Sequence, residues 1–538
     1  MRKGSPGTFE VIGQSLVSAQ QLFLGNTDSV YFIDKVENNP TQINGHPVWG
    51  SEWGLSNNQQ RPLDVMTNAF CAGGNVLGNG TWINVGGNQA VTWGGNAADR
   101  QDGGGPYNDP DGRQSIRMLD PCGDRNCDWR MSPHPSDQRW YPTLETVEDG
   151  SIMIIGGCRN GGYVNDPGQD NPTYEFFPST GDPIASPILS RTLPVNLYPL
   201  VWLLPSGRIL MQANWETVLL DRHTNQETQL DDIPDAVRVY PASAGTLMLP
   251  LTPANNYTAT VLFCGGANVA TDTYVYLVLS FLLVEDVVLT ASNTGTAGYG
   301  NTTWAVEQSF ADNPLLTPIL YNPKAPAGSV MVSGSNPNAD YTTGVKFSTE
   351  YRTELFYPSY FSKRRPEPKA LPVKLTYGGA AFDVQLSSDD LFGNIDNINK
   401  TTAVVIRPGF STHSMNMGQR YVELQTSFTG YQNDHTAILH VSQLPPNPAI
   451  LVPGPALLFI VVDGVPSVGV QVMVGSGNIE TQQMLPAANL PASQILMGDS
   501  PSSKTGATTV NGALGSGSRG GLGWAVLVLS VAVGVLVV

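Results

Sequence analysis

One unit recurs along this chain and restricts its fold more than any other feature. It consists of an apolar lead-in, a glycine-containing turn, an apolar strand and, in most copies, a Gly-Gly pair. It reads NVLGNGTWINVGGN at 75–88, TVEDGSIMIIGGC at 146–158, WLLPSGRILMQANW at 202–215 and NNYTATVLFCGGAN at 255–268. A remnant, AGSVMVSGSNPN, lies at 327–338. Short β-branched runs split by D-G, S-G or N-G turns are β-hairpin signals. Copies spaced at roughly 50–70 residues suit the four-stranded blades of a β-propeller, with a plain β-sandwich as the alternative. The repeated Gly-Gly favours the propeller, because inner strands crowd a central channel where side chains must be small. The composition agrees: 57 glycines and 41 prolines among 538 residues suit a turn-rich, all-β chain.

From about residue 350 the texture changes. RTELFYPSYFSKRRPEPKALP, AFDVQLS, TAVVIRPGFSTHSMNMGQRYVEL and PALLFIVVDGVPSVGVQVMV are strands separated by Pro and Gly turns. Their extent is that of an immunoglobulin-like sandwich. The expected organisation is a propeller over 1–345, a sandwich over 346–475, a disordered linker over 476–521 and a hydrophobic C-terminal segment over 522–538. Two places break the propeller rhythm: the apolar run TYVYLVLSFLLVEDVVLTASN at 273–293, and the junction at 327–330. The run is uncharged only as far as Glu285, too short to span a bilayer.

The tail GLGWAVLVLSVAVGVLVV follows a run rich in Gly, Ser, Thr and Ala, and no charge occurs after Arg519. Asn511-Gly512-Ala513, a polar spacer and the apolar tail match a lipid-anchor signal in order; a short membrane tail is the plainer reading. Either places the protein extracellularly, at a membrane or cell wall. No apolar run follows the basic start MRKGSPGTFEVIG, so a leader is expected upstream of it. A formal net charge of −17 excludes a nucleic-acid partner, whose phosphates it would repel.

The five cysteines are Cys71, Cys122, Cys127, Cys158 and Cys264. PCGDRNCDW sets Cys122 and Cys127 in one polar loop, where a local disulfide is plausible; Cys158 and Cys264 follow inner strands and are expected to be buried thiols. Asn79, Asn256, Asn301 and Asn399 head N-x-Ser/Thr triplets, which alone say little about secretion. No Cys/His cluster, hydrolase motif or nucleotide-binding loop occurs in a supporting context. Three places stand out instead: FCAGG with Cys71, RWYPTLETVEDGSIMIIGG with Tyr141, and RPGFSTHSMNMGQR with His413 in a loop between two strands. His134, His223, His435 and His440 read as surface or structural residues.

Long stretches of the chain resemble the fungal glyoxal oxidases of the galactose oxidase-like copper radical oxidase family. They are GTFEVIGQSLVSAQQLFLG, VYFIDKVENNPTQINGHPVW, RWYPTLETVEDGSIMIIGGC, GTAGYGNTTWAVEQSFADNPLLTP, SGSNPNADYTTGVKFSTEYRTELFYPSY and THSMNMGQR. The resemblance implies a seven-bladed kelch-like propeller, incomplete here, followed by an immunoglobulin-like domain. It assigns Cys71 as the sulfur bonded to a tyrosine ring, Tyr141 as that tyrosine and a copper ligand, and His413 as a copper-binding histidine. The implied cofactors are copper and the Tyr-Cys thioether radical. Small aldehydes or primary alcohols would be oxidised by O2, giving hydrogen peroxide, by a monomer. The family's axial tyrosine and second histidine form a Tyr-His dipeptide, and this chain contains none; Tyr321, followed by Asn-Pro, does not match. The alternative function is a non-catalytic propeller protein of the cell wall, binding carbohydrate or a partner.

Overall fold

In a computed structural model, residues 4–501 are described except 135, 161–166, 194, 235, 241–244, 267–286, 292–302, 308–328 and 414. For 287–291 and 303–307 only the strand pairing is considered. The expected anchor signal, Tyr321, Asn301, most of the 273–293 run and residues 327–328 of the 327–330 junction lie outside the described residues.

The chain is nearly all sheet, as its hairpin signals require. Five four-stranded antiparallel units follow one another. The first holds Gln21–Leu24, Ser29–Ile33, Gly50–Gly54 and Gln60–Leu63. The second holds Gly73–Val76, Trp82–Val85, Ile116–Leu119 and Arg130–Met131. The third begins with Thr143–Thr146 and Ile152–Ile155, the fourth with Leu200–Leu203 and Ile209–Ala213. The fifth starts earlier than its repeat suggests, pairing Gly245–Met248 with Thr260–Cys264. The end of the apolar run supplies its third strand, Val287–Ala291, which pairs with Thr303–Glu307. A sixth, three-stranded sheet joins Phe9–Gln14 and Val330–Ser335 to the two edges of Glu350–Phe356. The start of the chain is thereby tied to the end of the propeller region, ten residues beyond the sequence boundary at 345/346.

Each hairpin follows from local chemistry. In TVEDGSIMII the Asp149 carboxylate accepts the Ser151 N–H (2.8 Å), and Gly150 adopts φ 84°. The turn then delivers Ile152–Ile155 into a fully buried strand. The Gly-Gly pairs do not answer to crowding at a channel. Gly86, at φ 77°, brings its backbone so close to the next repeat that a Cβ there would lie 2.1 Å from the Arg139 carbonyl oxygen. The glycine makes room for neighbouring backbone rather than for a cavity.

The sandwich pairs Thr401–Arg407 with Gly454–Val462 and with Arg420–Leu424, opposite a sheet built on Phe382–Leu386, Thr436–Val441 and Thr426–Tyr431. The stretch from 476 is no free linker as far as it is described. Met484–Ala487 pairs in parallel with Tyr377–Gly379, and Gln494–Leu496 with the Thr426–Tyr431 strand. These strands attach through backbone while most of their side chains remain exposed, so no hydrophobic period marks them. Cys122 and Cys127 form a disulfide; Cys158 is buried, whereas Cys264 is only half-buried.

The two domains are tied by a hairpin, Phe410–Thr412 and Met415–Met417, which leaves the sandwich and pairs with Gln21–Leu24 of the first unit. Two buried arginines, Arg407 and Arg420, flank it. Arg407 donates to Pro453 O (2.9 Å) and to Thr146 Oγ1 (3.1 Å) of the propeller. Arg420 donates to Leu203 O (3.0 Å) and faces the Glu145 carboxylate at 3.5 Å. Both partners of that ion pair are buried, so deleting one leaves the other uncompensated. Glu145→Ala is expected to cost about 3–5 kcal/mol in chemical denaturation. Glu145→Gln should cost less, because it keeps an acceptor for the Leu203 N–H (2.9 Å).

Behind the first unit, burial pushes the Glu37 carboxyl up to about 7 despite the Lys35 ammonium 3.9 Å away. The folded state therefore holds a proton that the unfolded chain releases above the ordinary carboxyl range. Stability should fall as pH rises from about 4.5 to about 7. Melting curves across that window should show the fall, and Glu37→Gln should flatten it.

Candidate metal centre

The three sequence-predicted residues converge. Cys71 and Tyr141 lie at the entrances of the inner strands of consecutive units, side by side, and Tyr141 N–H donates to Cys71 O (3.0 Å). His413 arrives at the tip of the inserted hairpin, with its Nε2 3.4 Å from Cys71 Sγ. The Cys71 thiol and the Tyr141 phenol lie close enough to shift each other's ionisation. His134 and His223 are exposed; His435, bonded to Gly393 O, and His440, bonded to Asp383, sit apart from this cluster.

Two further phenols, missed in the sequence reading, complete the cluster. Tyr198 donates its N–H to Tyr141 O (2.9 Å) and its hydroxyl to Ala72 O (2.9 Å). Its ring lies 4.8 Å from the His413 ring. Tyr240 stacks on Tyr141 at 4.5 Å, and the two hydroxyls are 3.2 Å apart. A signal was available: RWYP at 139–142, NLYP at 196–199 and RVYP at 238–241 place a Tyr-Pro at the same point of successive repeats.

Four residues of the cluster have left-handed backbone: φ is positive at Cys71 (56°), Tyr141 (64°), Tyr198 (47°) and His413 (46°). Each such left-handed non-glycine residue costs about 1–3 kcal/mol and persists only where its surroundings enforce it. The enforcement is visible at FCAGG. A Cβ on Gly73 would lie 2.5 Å from Pro142 O, and one on Gly74 2.3 Å from the Phe410 ring. The glycines admit the Tyr141-Pro142 segment on one side and the base of the His413 hairpin on the other.

Hydrogen bonding sets the state of the imidazole. Thr412 Oγ1 donates to Gln20 O (3.2 Å), so it accepts from His413 Nδ1–H (2.6 Å). Nε2 is then unprotonated and accepts from the Cys71 thiol. Burial lowers the His413 pKa to about 4, keeping the ring neutral, and raises the Cys71 thiol to about 12. Burial likewise pushes the Tyr141, Tyr198 and Tyr240 phenols up. Gln20 Nε2 donates to Cys71 Sγ (3.2 Å) and lines, with Phe70 and Asn68, a cavity of about 570 Å³. Trp140 packs 4.7 Å from the Tyr141 ring.

The fold is that of a galactose oxidase-like protein. A family model for the glyoxal oxidase N-terminus matches residues 35–276, and one for the galactose oxidase-like early set domain matches residues 365–474. The chain thus carries a glyoxal oxidase N-terminal domain followed by a galactose oxidase-like early set domain. It is similar to aldehyde oxidase GLOX1 of Arabidopsis thaliana, with 28% identity over 76% of this chain and 72% of that one. It is also similar to aldehyde oxidase GLOX of Vitis pseudoreticulata, with 29% identity over 77% of this chain and 83% of that one. Its fold resembles that of a fungal alcohol oxidase of the AA5 family solved in complex with copper. There the TM-score is 0.55 and the identity 13%, over 87% of this chain and all of the other.

The residues present suit copper in kind. A neutral imidazole with an unprotonated Nε2 and phenol oxygens are N and O donors of the type Cu(II) takes. Thr412 supplies the outer hydrogen bond that orients a ligating histidine. Among the described residues no group of three His, Cys, Asp or Glu side chains gathers to hold a metal, and this cluster would bind one through His413 and phenols instead.

Gly74→Ala is expected to lower stability by about 1–3 kcal/mol through overpacking against Phe410. It should also expose the hairpin at 410–417 to limited proteolysis. Gly123→Ala, which meets no atom within 4 Å, should do neither.

Proposed function

We propose that this protein is a copper radical oxidase that converts small aldehydes or primary alcohols with O2 and releases hydrogen peroxide. The observation that carries the reading is the convergence of Cys71, Tyr141 and His413: Tyr141 N–H bonds to Cys71 O, His413 Nε2 lies 3.4 Å from Cys71 Sγ, and the Tyr141 and His413 rings are 5.7 Å apart. The similarity to aldehyde oxidases of plants supports the substrate class.

The chain's own residues divide the work. Tyr141 and His413 would hold the metal. Copper, when bound, supplies a one-electron couple beside the phenol, so that together they match a two-electron oxidation. Cys71 Sγ and a Tyr141 ring carbon would join by a thioether. The thiol hydrogen and the ring hydrogen leave as two protons and two electrons, which reduce one O2 to H2O2. Gln20 holds the thiol in place from one side, and Trp140 shields the Tyr141 ring from water on another. The cavity beside Gln20 and Phe70 gives a small substrate room near the sulfur. For an aldehyde hydrate the overall change is RCH(OH)2 + O2 → RCOOH + H2O2; for an alcohol it is RCH2OH + O2 → RCHO + H2O2.

The test uses purified full-length protein loaded with copper in air. Glyoxal or methylglyoxal should elicit peroxide, and digestion should yield the Cys71 and Tyr141 peptides joined and two hydrogen atoms lighter than their sum. Cys71→Ser should abolish the linkage and lower peroxide release at least a hundredfold, about 3 kcal/mol of barrier. Recovery of an unlinked Cys71 peptide with no peroxide would leave the non-catalytic, partner-binding reading in its place.

A further inference from the structure

The family resemblance provides for a second phenol as part of a Tyr-His dipeptide, which this sequence lacks. A different phenol stands at the site. Tyr240 occupies the Tyr-Pro position of a later repeat, and its hydroxyl lies 3.2 Å from that of Tyr141. Adjacent donors bound to one first-row metal at about 2.0–2.2 Å each are about 3 Å apart. The two phenol oxygens already have that spacing.

Two observations separate Tyr240 from Tyr198, and a third groups it with Tyr141. Its one hydrogen bond among the described residues goes to Tyr141, whereas the Tyr198 hydroxyl is spent on the Ala72 carbonyl. It is half-buried, like His413, whereas Tyr198 is fully enclosed. Its ring also faces the same imidazole as Tyr141 does: the His413 centroid is 5.4 Å from that of Tyr240 and 5.7 Å from that of Tyr141.

We infer that Tyr240 is a ligand of the metal centre, a second phenolate beside Tyr141, so that this chain offers two phenol oxygens and the His413 Nε2 to one copper ion. The inference rests on the proposed function. On binding Cu(II), each phenol gives its hydroxyl proton to solvent and each oxygen gains a bond to the metal, with no change of oxidation state. The role follows from position, because Tyr141, Tyr198 and Tyr240 are the same point of three successive repeats. Only the hydroxyls of Tyr141 and Tyr240 meet.

The test is a Cu(II) titration of the full-length protein, followed by the visible phenolate-to-copper absorption and by direct affinity measurement. Tyr240→Phe keeps the stacked ring and should melt within a few degrees of wild type. It should weaken Cu(II) binding by about 10–100-fold, the range reported for loss of a supporting interaction or more. It should also lower the absorption band substantially. Tyr174→Phe, a buried tyrosine bonded to Asn225 away from the site, should change neither quantity. Tyr141→Phe should remove most of the band. If Tyr240→Phe matches wild type in band and affinity while Tyr141→Phe does not, Tyr240 is not a ligand and the proposed function stands. If wild-type protein takes up Cu(II) without a phenolate band, the proposed function falls and this inference falls with it.

Discussion

The site depends on one strand pairing, that of Phe410–Thr412 with Gln21–Leu24 of the first unit. Without it the phenols and the thiol would stand in one domain and the histidine in the other. The pairing is held at both ends by buried arginines that stand opposite each other in the sandwich sheet, Arg407 and Arg420. Each bridges the domains: Arg407 donates to Pro453 O of the sandwich and to Thr146 Oγ1 across the seam, Arg420 to Ala449 O of the sandwich and to Leu203 O across it. An arginine is suited to this, because a planar fork of fixed donors can tie several backbone oxygens of two domains at once. Aromatic stacking reinforces the seam: Phe410 lies on Phe23 at 5.5 Å, and Phe23 on Trp82 at 4.2 Å.

The hairpins of the propeller were legible in the sequence because their signals are local: a D-G or N-G turn and a short β-branched run on either side. Cys71, Tyr141 and His413 were named through a resemblance, and the structure brings them together. Tyr240 and Tyr198 were not found, although Arg139-Trp140-Tyr141-Pro142 and Arg238-Val239-Tyr240-Pro241 share a pattern that the eye passes over when it follows strands. The two tyrosines lie before the strands, at the bends. Met484–Ala487 and Gln494–Leu496 were unreadable for another reason. They pair through backbone alone with side chains largely in solvent, so sequence carries no record of them. The Gly-Gly pairs were noticed for one reason and exist for another, close backbone approach between repeats.

The electrostatics of the site are those of burial rather than of charge. Desolvation is the leading cause of the shifts at Cys71, Tyr141, Tyr198, Tyr240 and His413. No lysine, arginine or carboxylate is the dominant influence on any of them. Every group is thus held in its uncharged form, and a cation entering the cluster is the event that makes an anionic phenolate favourable there. That is a different design from a carboxylate-lined metal site, where the charge exists before the ion arrives.

The left-handed backbone at Cys71, Tyr141 and Tyr198 has a consequence for how such a centre can change over generations. These residues occupy equivalent corners of repeated units, and the distortion belongs to the corner rather than to the side chain placed there. A repeat protein can therefore move a donor from one corner to the next by a single codon change, with the scaffold already prepared to present it. Chemistry on such a ring is transposable in a way that a site assembled from unrelated loops is not.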